Sequence, residues 1–171
     1  MKALFSFLLF MLSALGFGQT DVSGALSSDT TWSLSNSPYT VTGSVLVPTA
    51  VTLTIEAGVT VKVNSGLYIK VQGTIIAIGD ASNKITFTSS SSNPNKGDWD
   101  KIWLASSSTS FDVSDNYSSG TIFKHCLISY ANEGLRLDDG SFYLVNSELT
   151  QNNTGINFRK VINSIIDNTM I

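Results

Sequence analysis

The sequence predicts an all-β solenoid, a chain wound into stacked coils of short strands. Three observations predict it. A glycine followed by a short apolar strand keeps returning: Gly58 before Val59-Thr60-Val61-Lys62-Val63, Gly73 before Thr74-Ile75-Ile76-Ala77-Ile78, Gly134 before Leu135-Arg136-Leu137, and Gly155 before Ile156-Asn157-Phe158. Apolar and polar residues alternate, as in Leu53 and Ile55, Ile69 and Val71, Ile85 and Phe87. After the N-terminal segment no window keeps apolar residues at i, i+3, i+4 and i+7 over three turns, so helix signals are nearly absent. Recurring strand-plus-turn units bury their apolar face only by stacking on their neighbours, which defines a solenoid.

The elements follow in order. Residues 1–18 read as a secretory signal peptide. Met1-Lys2 is a basic start, Ala3 to Leu15 is apolar apart from Ser6 and Ser13, and Gly16 and Gly18 put small residues at the minus-three and minus-one positions of a cut before Gln19. The apolar run is too short for a comfortable span and leads into polar sequence. No membrane span is expected after cleavage, and the expected location is secreted or cell surface. Residues 19–50 read as an N-terminal cap and first coil, with Asp21 to Tyr39 unlike the rest and hiding the first rung. Residues 51–171 read as β-solenoid coils, the last of them incomplete.

Stacked coils predict ladders of like residues, with rungs about 4.8 Å apart. One expected stack is Leu53, Ile69, Ile85 with Ile55, Val71, Phe87 beside it, a step of 16 residues. A second is Val61, Ile76, Ile102, Leu135, Ile156 with Val63, Ile78, Leu104, Leu137, Phe158. Ile76, Ile102 and Leu135 should then be buried, with Ile76 and Ile102 on neighbouring coils. A third aligns Cys126, Ser147 and Ser164, and beside them Ile128, Leu149 and Ile166. Asn132 and Asn153, each two residues before a glycine, should align as a turn ladder in which a buried amide bonds the backbone above and below. Two polar stretches, Ser89 to Asp100 between Thr88 and Lys101, and the one between Ala105 and Gly120, read as loops thrown out of the coil, and insertions in solenoids often mark a binding face. The final coil, Val161 to Ile171, carries Ile162, Ile165, Ile166 and Ile171 with no polar cap. A fragment of a longer protein is the favoured reading of this ending. End-to-end self-association is the reading if the chain is not a fragment.

Composition excludes several function classes. Without Lys2 the 10 basic and 13 acidic residues leave a net charge of −4, with no basic run, which excludes nucleic acid as a partner by charge. Cys126 is the only cysteine, so no internal disulfide can form and packing must hold the fold. Charged residues make up only 13% and turn formers are frequent, a composition suited to a turn-rich extracellular β protein.

Particular phrases carry a family resemblance. Thr31-Trp32, Ser37-Pro38-Tyr39, Leu53-Thr54-Ile55-Glu56-Ala57-Gly58-Val59-Thr60-Val61, Gly73-Thr74-Ile75, Ile85-Thr86-Phe87-Thr88-Ser89 and Gly97-Asp98-Trp99-Asp100-Lys101-Ile102 resemble the start of secreted bacterial right-handed parallel β-helix repeat proteins. Asn146 to Ile156 is similar to the generic β-helix repeat of the pectate lyase-like superfamily. The resemblance runs from about Trp32 onwards. It implies an all-β, right-handed parallel β-helix in an exported and often cell-surface protein.

Candidate chemistry is sparse. Enzymes of the resembled superfamily use clustered acids to hold calcium and a basic residue as base, or acid pairs flanking a glycosidic bond. Arg136-Leu137-Asp138-Asp139-Gly140 is similar to a hydrolase acid pair, but the partner motifs Gly-His-Gly and Arg-x-Lys are missing, and adjacent acids before glycine are ordinary turn residues. His125 and Cys126 are strand neighbours that face opposite sides, so they cannot pair as base and nucleophile. One histidine and one cysteine cannot make a zinc site. No catalytic residue and no metal ligand is assigned. No cofactor is expected; calcium beside the carboxylates is the open alternative, supported by no motif. The glycan-binding candidates are Trp99, Trp103, Asp98 and Asp100, with Arg136, Asp138 and Asp139: indoles stack on sugar rings and carboxylates bond hydroxyls. A competing expectation has Trp99 folded back over the coil, leaving Trp103 outward. The expected function is an exported non-catalytic β-helix module, a surface scaffold or glycan binder with a polysaccharide partner. The alternative is a fragment of a polysaccharide lyase or glycoside hydrolase.

Overall fold

The computed structural model describes residues 18–171. The signal-peptide reading of 1–18 therefore lies outside the described residues, Gly18 apart. Among the described residues the chain is all-β apart from one short 3-10 turn at Leu34–Asn36. The first two coils contribute β1 (Thr20–Ala25) and β2 (Thr30–Trp32), then β3 (Tyr39–Val47) and β4 (Thr52–Ile55). Next come β5 (Thr60–Val63), β6 (Tyr68–Val71) and β7 (Thr74–Ile78), followed by β8 (Ile85–Ser89) and β9 (Trp99–Leu104). A hairpin of β10 (Thr109–Phe111) and β11 (Tyr117–Gly120) interrupts that coil before β12 (Ile122–Lys124) completes it. The last coils are β13 (Cys126–Ser129), β14 (Ala131–Leu137) and β15 (Tyr143–Val145), then β16 (Glu148–Thr150), β17 (Thr154–Phe158) and β18 (Ile165–Asp167).

These strands form three parallel stacks. The first runs β5, β8, β13, β16 and the second β6, β9, β14, β17. Both spring from β3, whose first residues pair with β5 and whose last pair with β6. The third runs β2, β4, β7, β12, β15, β18 as a separate sheet. β1 lies in parallel on β3 at the N-terminal end. Alternation puts every second side chain inside, and the inside is one apolar core. Tyr39, Val61, Phe87, Ile128 and Leu149 stack in the first column. Val45, Ile69, Ile102, Leu135 and Ile156 stack in the second. Trp32, Ile55, Ala77, Phe123, Leu144 and Ile166 stack in the third. Ala77 sits beneath Phe123, and the small side chain leaves room for Phe123 to meet Phe87 edge-on at 6.2 Å.

The ladder expectations divide. Ile102, Leu135, Ile156 and Leu104, Leu137, Phe158 are in register as expected, as are Ile128 and Leu149. Ile76 is not their neighbour. It lies on β7 in the third stack, half-buried and facing outward, while Ile75 and Ala77 point in. Ile102 pairs instead with Ile69 and Leu135. The 16-residue stack also fails: Leu53 pairs with Ile75, Ile69 with Val45 and Ile102, Ile85 with Cys126. Ile166 stacks on Leu144 rather than Leu149. The physical reason is that each coil has three sides. Short apolar strands from different sides look alike in sequence.

The corners are tight. His125, Asn146 and Asn168 each turn the chain from the third stack to the first as single left-handed residues, with φ of 50°, 51° and 43°. Asparagine tolerates this conformation through local hydrogen bonds. Tyr130 and Gln151 do the same between the first and second stacks. Asn153 Nδ2 donates to Asn132 Oδ1 at 3.1 Å, so the expected alignment holds, but both residues are exposed. The buried amide is the adjacent Asn152. Its Oδ1 accepts from the Ala131 N–H at 2.8 Å and its Nδ2 donates to the Ile128 carbonyl. Gly73 is required sterically, since a Cβ there would run into the carbonyl oxygens of Pro48 and Val51.

Both polar excursions leave the coil, at different corners. The first joins β8 to β9. The second is an ordered antiparallel hairpin between β9 and β12. It folds over the outer side of the third stack, where Tyr143 meets Phe111 edge-on at 5.6 Å and Tyr117 face-on at 6.0 Å. This hairpin explains why Ile122 is buried although its strand neighbour Phe123 points inward. At the C-terminal end Phe158, Val161, Ile162, Ile166, Met170 and Ile171 are exposed.

Candidate functional site

The outward face of the second stack gathers most of the candidate residues. Lys70 on β6, Trp103 on β9, Arg136 on β14 and Asn157 on β17 follow one another in register. They face out because Ile69, Val71, Ile102, Leu104, Leu135 and Leu137 beside them face in. The Lys70 ammonium lies 4.2 Å from the Trp103 ring centroid, and the Arg136 guanidinium carbon lies 5.5 Å away. The indole is thus flanked by cations on both neighbouring strands, an attraction to its π faces. Tyr68 meets it edge-on at 6.1 Å.

Carboxylates lock this row in place. The Trp103 indole N–H donates to Asp138 Oδ2 at 2.8 Å. Arg136 Nε donates to Asp138 Oδ1 at 2.8 Å, and a second guanidinium nitrogen reaches Oδ2 at 3.3 Å. Arg159 approaches the same carboxylate at 3.6 Å. Glu133 accepts from Lys101 at 3.0 Å and from the Asn157 amide, and lies 3.8 Å from Arg136. Lys101 also lies 3.3 Å from Asp100. The hydrogen bond from Arg136 holds the Asp138 carboxyl below the usual range; burial opposes it, and the Trp103 donor and the charges of Arg136 and Arg159 add to the lowering. For Glu133 burial pushes upward, but the hydrogen bonds from Asn157 and Lys101 and the charges of Lys101 and Arg136 together outweigh it, so its carboxyl is also lowered. Arg136 is raised, first by its bond to Asp138. Both Asp138 and Glu133 are thus held ionised.

The remaining candidates lie elsewhere. Trp99 is fully buried and its indole N–H donates to the Ser129 carbonyl at 2.8 Å. This corrects its place among the glycan candidates: the ring completes the core beneath the first loop. Asp98 closes that loop, accepting from the Ser89 hydroxyl at 2.7 Å and the Asn95 N–H at 3.0 Å. Asp139 points away from Asp138 and pairs with Lys160 at 3.1 Å on the exposed surface. The two adjacent acids therefore do not converge on one point. Among the described residues no three His, Cys, Asp or Glu side chains converge as a metal site. Cys126 is buried, and burial pushes its thiol far up.

Sequence reasoning missed Tyr68, Lys70, Lys101, Glu133, Asn157 and Arg159. The signal was present in the polar positions between the aligned apolar ones. Lys70, Trp103, Arg136 and Asn157 each sit between two inward residues of the second column.

A family model described as a pectate-lyase like beta helix domain matches residues 24–121. The chain belongs to this family of right-handed parallel β-helix proteins. The match takes in Tyr68, Lys70, Lys101 and Trp103 and stops before Glu133, Arg136 and Asp138. No curated protein and no solved structure matches the chain.

Proposed function

We propose that this chain is an exported, non-catalytic β-helix module that binds a polysaccharide along the outward face of its second stack. The observation that carries this reading is the fixed indole of Trp103, held at its N–H by Asp138 and flanked by Lys70 and Arg136. A ring held in one rotamer offers a sugar contact with little ordering cost. Beside it the Asn157 Oδ1 and the Lys70 ammonium, which make no side-chain hydrogen bond among the described residues, offer an acceptor and a donor to sugar hydroxyls. The titration of the acids supports a non-catalytic role. A glycosidase needs one carboxyl kept protonated near neutral pH, and Asp138 and Glu133 are both shifted the other way. A lyase base must give up its proton near the working pH, and Arg136 is shifted away from that.

Two assays test the reading. Electrophoresis through gels carrying polygalacturonate, xylan or mannan should retard the chain in at least one case, and Trp103→Ala should remove the retardation. Incubation with pectin, polygalacturonate and alginate in the presence of calcium should release neither unsaturated nor reducing ends. Product formation that Arg136→Ala or Asp138→Ala abolishes would replace this reading with a lyase or hydrolase of the same superfamily.

A further inference from the structure

The geometry points to a second saccharide site, at the corner where the third stack turns into the first. A shallow depression of about 710 Å³, largely open to solvent, lies there. Lys84, His125, Asn146, Glu148 and Asn168 supply its polar wall, and Met170 offers an apolar surface. The stacked left-handed corners create it. His125, Asn146 and Asn168 project from equivalent positions of successive coils, so imidazole and amides line up along the axis. This corner lies on a different side of the helix from Trp103.

The state of the polar groups separates the depression from the Trp103 face. On that face the carboxylates and cations satisfy one another. In the depression, among the described residues, the His125 imidazole makes no hydrogen bond. Asn168 Nδ2 donates to Asn146 Oδ1 at 2.6 Å, which leaves Asn146 Nδ2 and Asn168 Oδ1 uncommitted. Lys84 meets Glu148 only at 3.8 Å, longer than a hydrogen bond. Free donors and acceptors therefore alternate along a concave wall. Carboxylate, amide and imidazole are the groups that bond vicinal hydroxyls, and the exposed Met170 can lie against the C–H face of a sugar ring. Lys84 and Glu148 cancel in charge, and Asp80 lies close enough to feel His125. The depression thus has no excess positive charge, which favours a neutral saccharide over a uronate.

Labelled chain titrated with neutral hexaoses of glucose, mannose and galactose provides the test, read by magnetic resonance at named side chains. At least one hexaose should shift the His125 ring and the Asn146 and Asn168 side-chain amides at up to millimolar concentration. Glu148→Gln should weaken that binding roughly tenfold, the effect of losing one charged acceptor. Lys84→Met, on the exposed rim, should weaken it as well and serves if Glu148→Gln fails to fold. Trp103→Ala should leave it unchanged, so this site and the Trp103 reading fail separately. Silence at His125, Asn146 and Asn168 across all three neutral hexaoses overturns the inference. So does a response to trigalacturonate alone, shifts confined to the Trp103 indole, or unchanged affinity in a folded Glu148→Gln chain.

Discussion

Ile102→Ala should be among the most damaging single truncations in this chain. Ile102 is fully buried in the second column, between Ile69 on one side and Leu135 on the other. Three carbons are lost, which at about 0.8 kcal/mol each is about 2.4 kcal/mol of transfer free energy. A cavity penalty adds to this wherever neighbours cannot close in. Here they cannot, because backbone hydrogen bonds fix adjacent rungs about 4.8 Å apart. The total should fall in the upper part of the range of about 2–5 kcal/mol seen for such truncations. Ile76→Ala is the control. The same side chain lies outward and half-buried on β7, and its loss should cost about 1 kcal/mol. Urea unfolding followed by the fluorescence of Trp99, buried on the same strand as Ile102, measures both. Equal losses at the two positions, or a loss below about 1 kcal/mol at Ile102, would refute the column assignment.

Three further outcomes are expected. The Asp138 carboxyl should titrate below the ordinary value of about 3.9, and Trp103→Phe should raise its midpoint by removing the indole donor. Because its folded pKa is the lower one, the stability it contributes is fully present above the unfolded pKa and is lost as pH falls through the folded midpoint; a carboxyl resonance with an ordinary midpoint contradicts the network. Cys126 should ignore a thiol reagent in the native chain and react only on unfolding, and fast native labelling would show that the first stack opens near β13. The exposed apolar residues from Phe158 to Ile171 should make the expressed chain self-associate or fray there. Sedimentation over a wide concentration range with hydrogen exchange on residues 161–171 separates those two, and a strictly monomeric chain with strongly protected amides refutes both.

The face of each strand was legible in the sequence more often than its partner. Alternation alone gave Leu53, Ile55, Ile69, Val71, Ile85 and Phe87 as inward, and all are buried. Alternation says nothing about which side of the coil a strand occupies, so strands from two different stacks were placed in one ladder. Thr74-Ile75-Ile76-Ala77-Ile78 adds a second ambiguity. Both phases of that run are apolar, and the inward one is the phase containing the small residue Ala77, because Phe123 fills the space above it. The site was half legible for the same reason. Trp103, Arg136, Asp138 and Asp100 share one region, yet the strands that bring Lys70 and Glu133 to them are identified only once the columns are correct. Trp99 and Asp98 looked like site residues because the polar stretch around them reads as a loop, whereas Trp99 opens β9. One packs inward and the other ties the loop shut.

The parallel stacking also dictates how the molecule would answer a mechanical load. All three columns bond rung to rung, so the backbone hydrogen bonds run along the long axis. Tension applied between the two ends would strip those bonds a rung at a time, like a zip, rather than shear many at once. One released rung, such as Leu135 to Ile156, advances the folded axis by only about 4.8 Å. The same rung pulled straight pays out roughly 70 Å of chain. A chain anchored at one end and held at the other would therefore lengthen in a short series of low-force steps, one per coil, each releasing roughly 70 Å of chain.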